Sequence, residues 1–191
     1  MRAALATRAG RAPDQVEPKI AASITHLGLT ARLIAPALAA AACQSHLDMR
    51  LDGLWWQAEL GGPVPLSVPQ PPDPITGRHS PEMLKRDPLW RLLDEVITPL
   101  TSATSRHIAV SERVLWGNVA SAINSAATQI ATQLPELTAA WAAAARLSGH
   151  PRLSHERHPP GPGFRRTSCC LLYKLTPGPS RPVCGDCILH E

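Results

Sequence analysis

A mainly α fold with one short β-hairpin and an irregular carboxy-terminal lobe is the architecture this sequence predicts. Three observations carry it. Apolar residues recur every three or four positions through three separate segments. The 20 prolines gather around 63–74, 151–162 and 177–182, where they mark loops. Four of the five cysteines fall between positions 169 and 187. The chain has 191 residues, 44% of them hydrophobic and 18% charged, which is enough to bury one core, with a small appendage. The apolar share is mostly Ala and Leu, which suits helices.

The elements follow in order. Residues 1–16 lack a continuous apolar pattern and are expected to be loosely ordered. From Glu17 to Cys43 the positions Ile20, Ile24, Leu27, Ala31 and Ile34 trace one helix face, and Pro36 is expected to kink or end it. Residues 53–69 break that period: the Trp55–Trp56 pair, a Gly61–Gly62 turn and the alternating Val64, Leu66 and Val68 read as a hairpin, kept at an edge by its prolines. Asp87 before Pro88 is an N-cap followed by proline at the first helical position, and Leu89, Leu92, Leu93, Val96 and Ile97 line one face, with Pro99 limiting the length. Ser111 to Leu134 is a second long helix, with Val114, Leu115, Val119, Ile123, Ala126 and Ile130 in register. Glu136 to Leu147 is a third, closed by Gly149 and Pro151. Residues 149–162 read as a linker or extended wrap. The expected organisation is therefore a loose 1–16, a helical body over 17–148 and a cysteine-bearing segment over 149–191.

Charge and hydropathy exclude several classes. The formal net charge is +4, with no run of five or six basic residues, so neither a nucleic-acid nor a membrane-surface patch is indicated. The apolar stretches Leu33–Cys43 and Ala139–Ala145 are shorter than the roughly 18–20 residues of a spanning helix. The first fifteen residues lack the apolar core of a secretory signal, which leads us to expect a cytoplasmic protein. Gly-rich phosphate loops, paired carboxylates and nucleophile elbows are missing from the text.

The chemistry lies in Arg165 to Cys187, RRTSCCLLYKLTPGPSRPVCGDC. Disulfides are disfavoured in a reducing compartment. Four thiolates suit a structural zinc, for which Cys184-Gly185-Asp186-Cys187 is a common half-site, and a helical interaction module with such a zinc is the alternative reading. Cys169 and Cys170 are neighbours, however, and in extended backbone their side chains diverge. A cluster, whose ligand sites spread over several ångströms, tolerates that better than one ion does. Gly185 is expected to let the knuckle turn toward sulfur, and Asp186 to be a turn residue.

The CC…CxxC ending with basic residues before it resembles the carboxy-terminal [2Fe-2S] segment of the FhuF-like ferric iron reductase family. EPKIAASITHLGLTARLIAPALAAA, DGLWWQAELGGPVPLSVP and RVLWGNVASAI resemble that family's actinobacterial branch, so the likeness spans roughly 17–191. The thirteen residues between Cys170 and Cys184 make a longer loop than the family's short glycine-rich one, but extra loop length costs little. The resemblance implies a ferric-siderophore reductase with Cys169, Cys170, Cys184 and Cys187 as ligands of a [2Fe-2S] cluster. It further implies an unidentified cellular electron donor and work beside a membrane siderophore importer without spanning the bilayer. Arg165, Arg166, Lys174 and Arg181 flank the cysteines and are the expected docking residues for an anionic ferric siderophore.

Other residues are read more plainly. His150, His155, His158 and His190 are irregularly spaced loop histidines. Trp55 and Trp56 are candidates for stacking on a substrate, whereas Trp90, Trp116 and Trp141 sit at core positions. Cys43 reads as a small buried hydrophobe.

Overall fold

The computed structural model describes residues 1–57, 65–68, 87–156, 158–176 and 182–189. Its helices are α1 (Arg2–Arg8), α2 (Pro18–Ala42), α3 (Pro88–Leu92), α4 (Thr98–Ile108), α5 (Glu112–Gln133) and α6 (Ala139–Ser148). The hairpin is present as β1 (Trp55–Trp56) and β2 (Leu66–Ser67), antiparallel, with Trp55 opposite Ser67 and Trp56 opposite Leu66. Its expected Gly61–Gly62 turn and Val64 lie outside the described residues.

The two long helices, α2 and α5, form the most extensive packing in the molecule, and α6 lies against both. Leu33, Ile34 and Leu38 of α2 meet Val119 and Ile123 of α5, Leu147 of α6, and Leu93, Val96 and Ile97 in a single buried cluster. Each such side chain contributes about 1.5–3 kcal/mol on burial, and this cluster holds the body together. A smaller second cluster joins Leu5, Ala6, Val16 and Ala21 to Leu175, with Leu172 packed on it. It fastens the amino terminus to the segment that follows the first cysteine pair.

Several expectations change. Residues 1–16 are not loose: α1 buries Leu5 and Ala6, and Arg2 Nε donates to Val16 O at 3.0 Å. The signal was too short to read as a helix, since two apolar residues suffice to pin one turn pair. Pro36 does not end α2, which runs through it to Ala42. The proline sits on the exposed side while Leu33, Ile34, Ala37 and Leu38 are buried, so core packing outweighs one lost backbone bond. Pro99 likewise ends nothing. The backbone widens into a π turn over Leu93–Ile97 and resumes as α4 with Pro99 in its first turn, where no intrahelical donor is needed. Asp87 caps α3 as expected, accepting from Leu89 N at 2.9 Å. Cys43 is exposed at the end of α2 rather than buried.

The continuous α2 has 25 residues and a window of mean hydropathy 1.3, long and apolar enough to cross a membrane by length and composition. The shorter stretches counted in the sequence missed this because Pro36 was taken as a break. Ser23, His26 and Thr30 are buried on it, and α4, α5 and α6 pack against it, which is the pattern of a core helix.

Candidate metal centre

The residues around the cysteines are positioned by α2 and α5. Ser23 of α2 donates from Oγ to Cys170 O at 2.9 Å. Asn118 of α5 donates from Nδ2 to Ser23 O at 2.9 Å and accepts from Arg166 Nη2 at 2.7 Å. Arg166 Nη2 also reaches Val114 O at 3.1 Å, and its Nε donates to Ser168 O. Ser168 Oγ in turn donates to Arg113 O at 3.0 Å. The first cysteine pair is thus sewn to the seam between the two main helices.

Gly117 makes this approach feasible. A Cβ there would lie 2.1 Å from Ser168 Oγ and 3.0 Å from Arg166 Nη2, so any side chain would push the segment off α5. The second pair is held to the first by Arg166 N, which donates to Asp186 O at 3.2 Å, and to α5 by Ser121 Oγ, which donates to Asp186 Oδ2 at 2.7 Å. Cys187 N donates to Cys184 O at 3.1 Å and closes the turn, in which Asp186 is the turn residue expected. Gly185 proves dispensable for it: its φ is not positive, and a Cβ would meet open space.

The four thiols form an inner and an outer edge. Cys170 and Cys187 are buried, whereas Cys169 and Cys184 are half-buried. Cys169 Sγ accepts from Leu171 N at 3.3 Å, and Cys187 Sγ from Leu189 N at 3.3 Å, two backbone donors that favour negative sulfur. Leu171 takes a left-handed conformation, φ 70°, to bring its N–H round. The hydrogen bond between the Cys170 and Cys184 thiols draws Cys170 down to about 6 and pushes Cys184 up. Burial raises Cys169. The positive charge of Arg166 favours the thiolate at Cys169, Cys170 and Cys184 alike.

Among the described residues, no three His, Cys, Asp or Glu side chains converge tightly enough to hold a single metal ion. The Cys170 and Cys184 thiols contact each other, and N–H groups are directed at the sulfurs of Cys169 and Cys187. Cysteine sulfurs with such donors are the ligand type that iron–sulfur clusters use.

The expected docking residues divide. Arg165 and Lys174 are exposed beside the cysteines. Arg166 is 1% exposed and directed inward, so it cannot meet a substrate; the carbonyls of Val114 and Ser168 and the side chain of Asn118 capture it. Arg181 lies outside the described residues. Trp55 and Trp56 are exposed, at 73% and 65%. Trp116 is buried as expected, with Arg152 stacked over its ring. His150 is buried and bonded to Asp94 at 3.2 Å, and His190 lies outside the described residues.

Sequence reading missed Ser23, Gly117, Asn118 and Ser121. A signal existed in the polar residues at 23, 26 and 30 on an otherwise apolar helix, and in Gly-Asn in the middle of α5. A cleft of about 840 Å³ lies elsewhere, with Asp87, Trp90, Arg91, Asp94, Arg146 and His150 in its lining. Arg146 is bonded there to Asp87, Arg91 to Asp48 and His150 to Asp94, while Arg152, also in the lining, lies over the Trp116 ring.

A helical body presenting a four-thiol segment on the seam of its two longest helices defines the class. The chain belongs to the ferric iron reductase FhuF-like transporter family, whose model matches residues 31–158. That match covers α2 from Ala31 through α6 and stops before Cys169, Cys170, Cys184 and Cys187. It supports a ferric iron reductase role in general terms. No curated protein and no solved structure matches the chain.

Proposed function

We propose that this protein reduces siderophore-bound Fe(III) by one electron, releasing Fe(II), with Cys169, Cys170, Cys184 and Cys187 as the ligands of a [2Fe-2S] cluster. The four cysteines that follow a body of the ferric reductase family in the sequence are the observation that carries this reading. When bound, the cluster supplies one-electron chemistry at a potential set by charge and hydrogen bonding around its sulfurs. The chain's own residues hold it and shape access. The N–H groups of Leu171 and Leu189 stabilise the sulfurs of Cys169 and Cys187. The half-buried Cys169 and Cys184 form the edge that a substrate can approach, and the exposed Arg165 and Lys174 attract an anionic chelate to that edge. Because Fe(II) is held far more weakly than Fe(III) by hard oxygen donors, reduction is itself the release step. The electron comes from a cellular one-electron donor, and we place the reaction in the cytoplasm.

Anaerobic purification followed by iron, acid-labile sulfide and zinc analysis tests the assignment. About two irons and two sulfides per chain are expected. Stoichiometric zinc without sulfide would replace this reading by a structural metal site.

A further inference from the structure

The amino-terminal arm, residues 2–16, folds back on itself. α1 leads into a turn in which Gly10 takes φ 62° and Arg11 N donates to Ala6 O at 2.9 Å. Arg2 then reaches across, from Nε to Val16 O at 3.0 Å and from Nη2 to Asp14 O at 3.2 Å. What the arm offers the rest of the molecule is apolar. Leu5, Ala6 and Val16 are buried in the small cluster with Ala21 of α2 and Leu175, on which Leu172 packs, and none of these residues belongs to the main core. Leu172 opens a 3₁₀ turn, Leu172–Lys174, that begins two residues after Cys170. The residue between them, Leu171, has φ 70°, a conformation that a residue with a bulky side chain keeps only where its surroundings hold it. That conformation brings its N–H to Cys169 Sγ. Before Leu171 the backbone is tied to α2 by Ser23 Oγ on Cys170 O, and after it Leu172 and Leu175 are held in the arm's cluster.

We propose that the arm is a latch on the first cysteine pair: Leu5, Ala6 and Val16, by gripping Leu175, hold the turn after Cys170 in place and limit access to that thiol. Releasing the grip disrupts a small satellite cluster and leaves the main core intact, so the turn opens locally, well short of global unfolding. Cys187 is buried as deeply as Cys170, but it is held differently. Its turn is tied to the cysteine segment by Arg166 N on Asp186 O and to α5 by Ser121 Oγ on Asp186 Oδ2, outside the arm's reach. The two buried thiols therefore have separate guards, and the latch governs one of them. It acts on entry to the thiols whichever metal group they take, so it does not depend on the cluster reading.

The test follows iodoacetamide labelling of each cysteine by mass spectrometry in the full-length chain, kept reduced, free of oxygen and stripped of metal by a chelator. Wild-type Cys170 should react at least about tenfold more slowly than it does in the urea-unfolded chain. Leu5→Ala, which thins the cluster, should speed Cys170 about tenfold and leave Cys187 within about twofold of wild type. Leu175→Ala weakens the same contact from the other side and should match it, so it reports even if Leu5→Ala does not fold. Leu5→Met keeps the volume and should return Cys170 to the wild-type rate. Cys43, exposed at the end of α2, is the control that should not change. Cys170 labelled no faster in either alanine variant, or unprotected in wild type, would overturn the latch. So would Cys187 speeding up in step with Cys170, because the arm would then support the whole fold rather than one cysteine pair.

Discussion

The guanidinium of Arg166 and the side-chain carbonyl of Asn118 meet at 2.7 Å in the interior, joining the cysteine segment to the middle of α5. Asn118 spends its amide nitrogen on Ser23, so one side chain ties α5, α2 and the segment before Cys169 together. The cysteines are thereby referenced to the buried seam between α2 and α5.

Replacing Asn118 by Ala should therefore cost about 2–3 kcal/mol, since it strips one charged and two neutral hydrogen bonds from buried groups. Urea unfolding of the metal-free protein measures this. A loss below about 0.5 kcal/mol would mean that the network is not holding the segment.

The body should stand without the metal. The helical core is built from α2, the π turn, α5 and α6, and it contains none of the four cysteines. We expect the quadruple Cys→Ser variant to keep a helical circular-dichroism spectrum and one cooperative transition. A largely unfolded variant would make the metal a staple of the fold.

His26 sets an acid limit. Burial, and then the charge of Arg166, lower its value from 6.5 to about 4, with Nε2 bonded to Thr101 Oγ1 at 3.0 Å. Above pH 6.5 the imidazole is neutral whether the chain is folded or not, and its contribution to stability is complete. Between 6.5 and about 4 only the unfolded chain takes up the proton, so stability falls by about 3 kcal/mol across that window and then levels off. Unfolding midpoints measured from pH 7.5 to 4 should show the decline, and His26→Gln should flatten it; an unchanged slope in that variant would assign the decline to other groups.

Periodicity revealed α5 almost to the residue, and the Asp87–Pro88 pair located the start of α3, because burial on one helix face leaves a repeating trace. Proline was the main source of error. At Pro36 and Pro99 the rule for an isolated helix gave way to tertiary packing and to a π turn, neither of which has a local signature. Cysteine spacing singled out four thiols as candidate ligands, but formal charge could not distinguish Arg165 from Arg166. One faces water and the other the α2–α5 seam, and only the fold decides which.

The most direct test of the account is electron transfer itself. Anaerobically reduced protein is mixed with an anionic ferric siderophore in the presence of a ferrous chelator, and cluster reoxidation and trapped Fe(II) are followed together. The account predicts that one Fe(II) appears per cluster reoxidised, and that the rate falls as salt screens Arg165 and Lys174 over about 8–10 Å. Reoxidation no faster than in buffer alone, with no Fe(II) trapped, would contradict it.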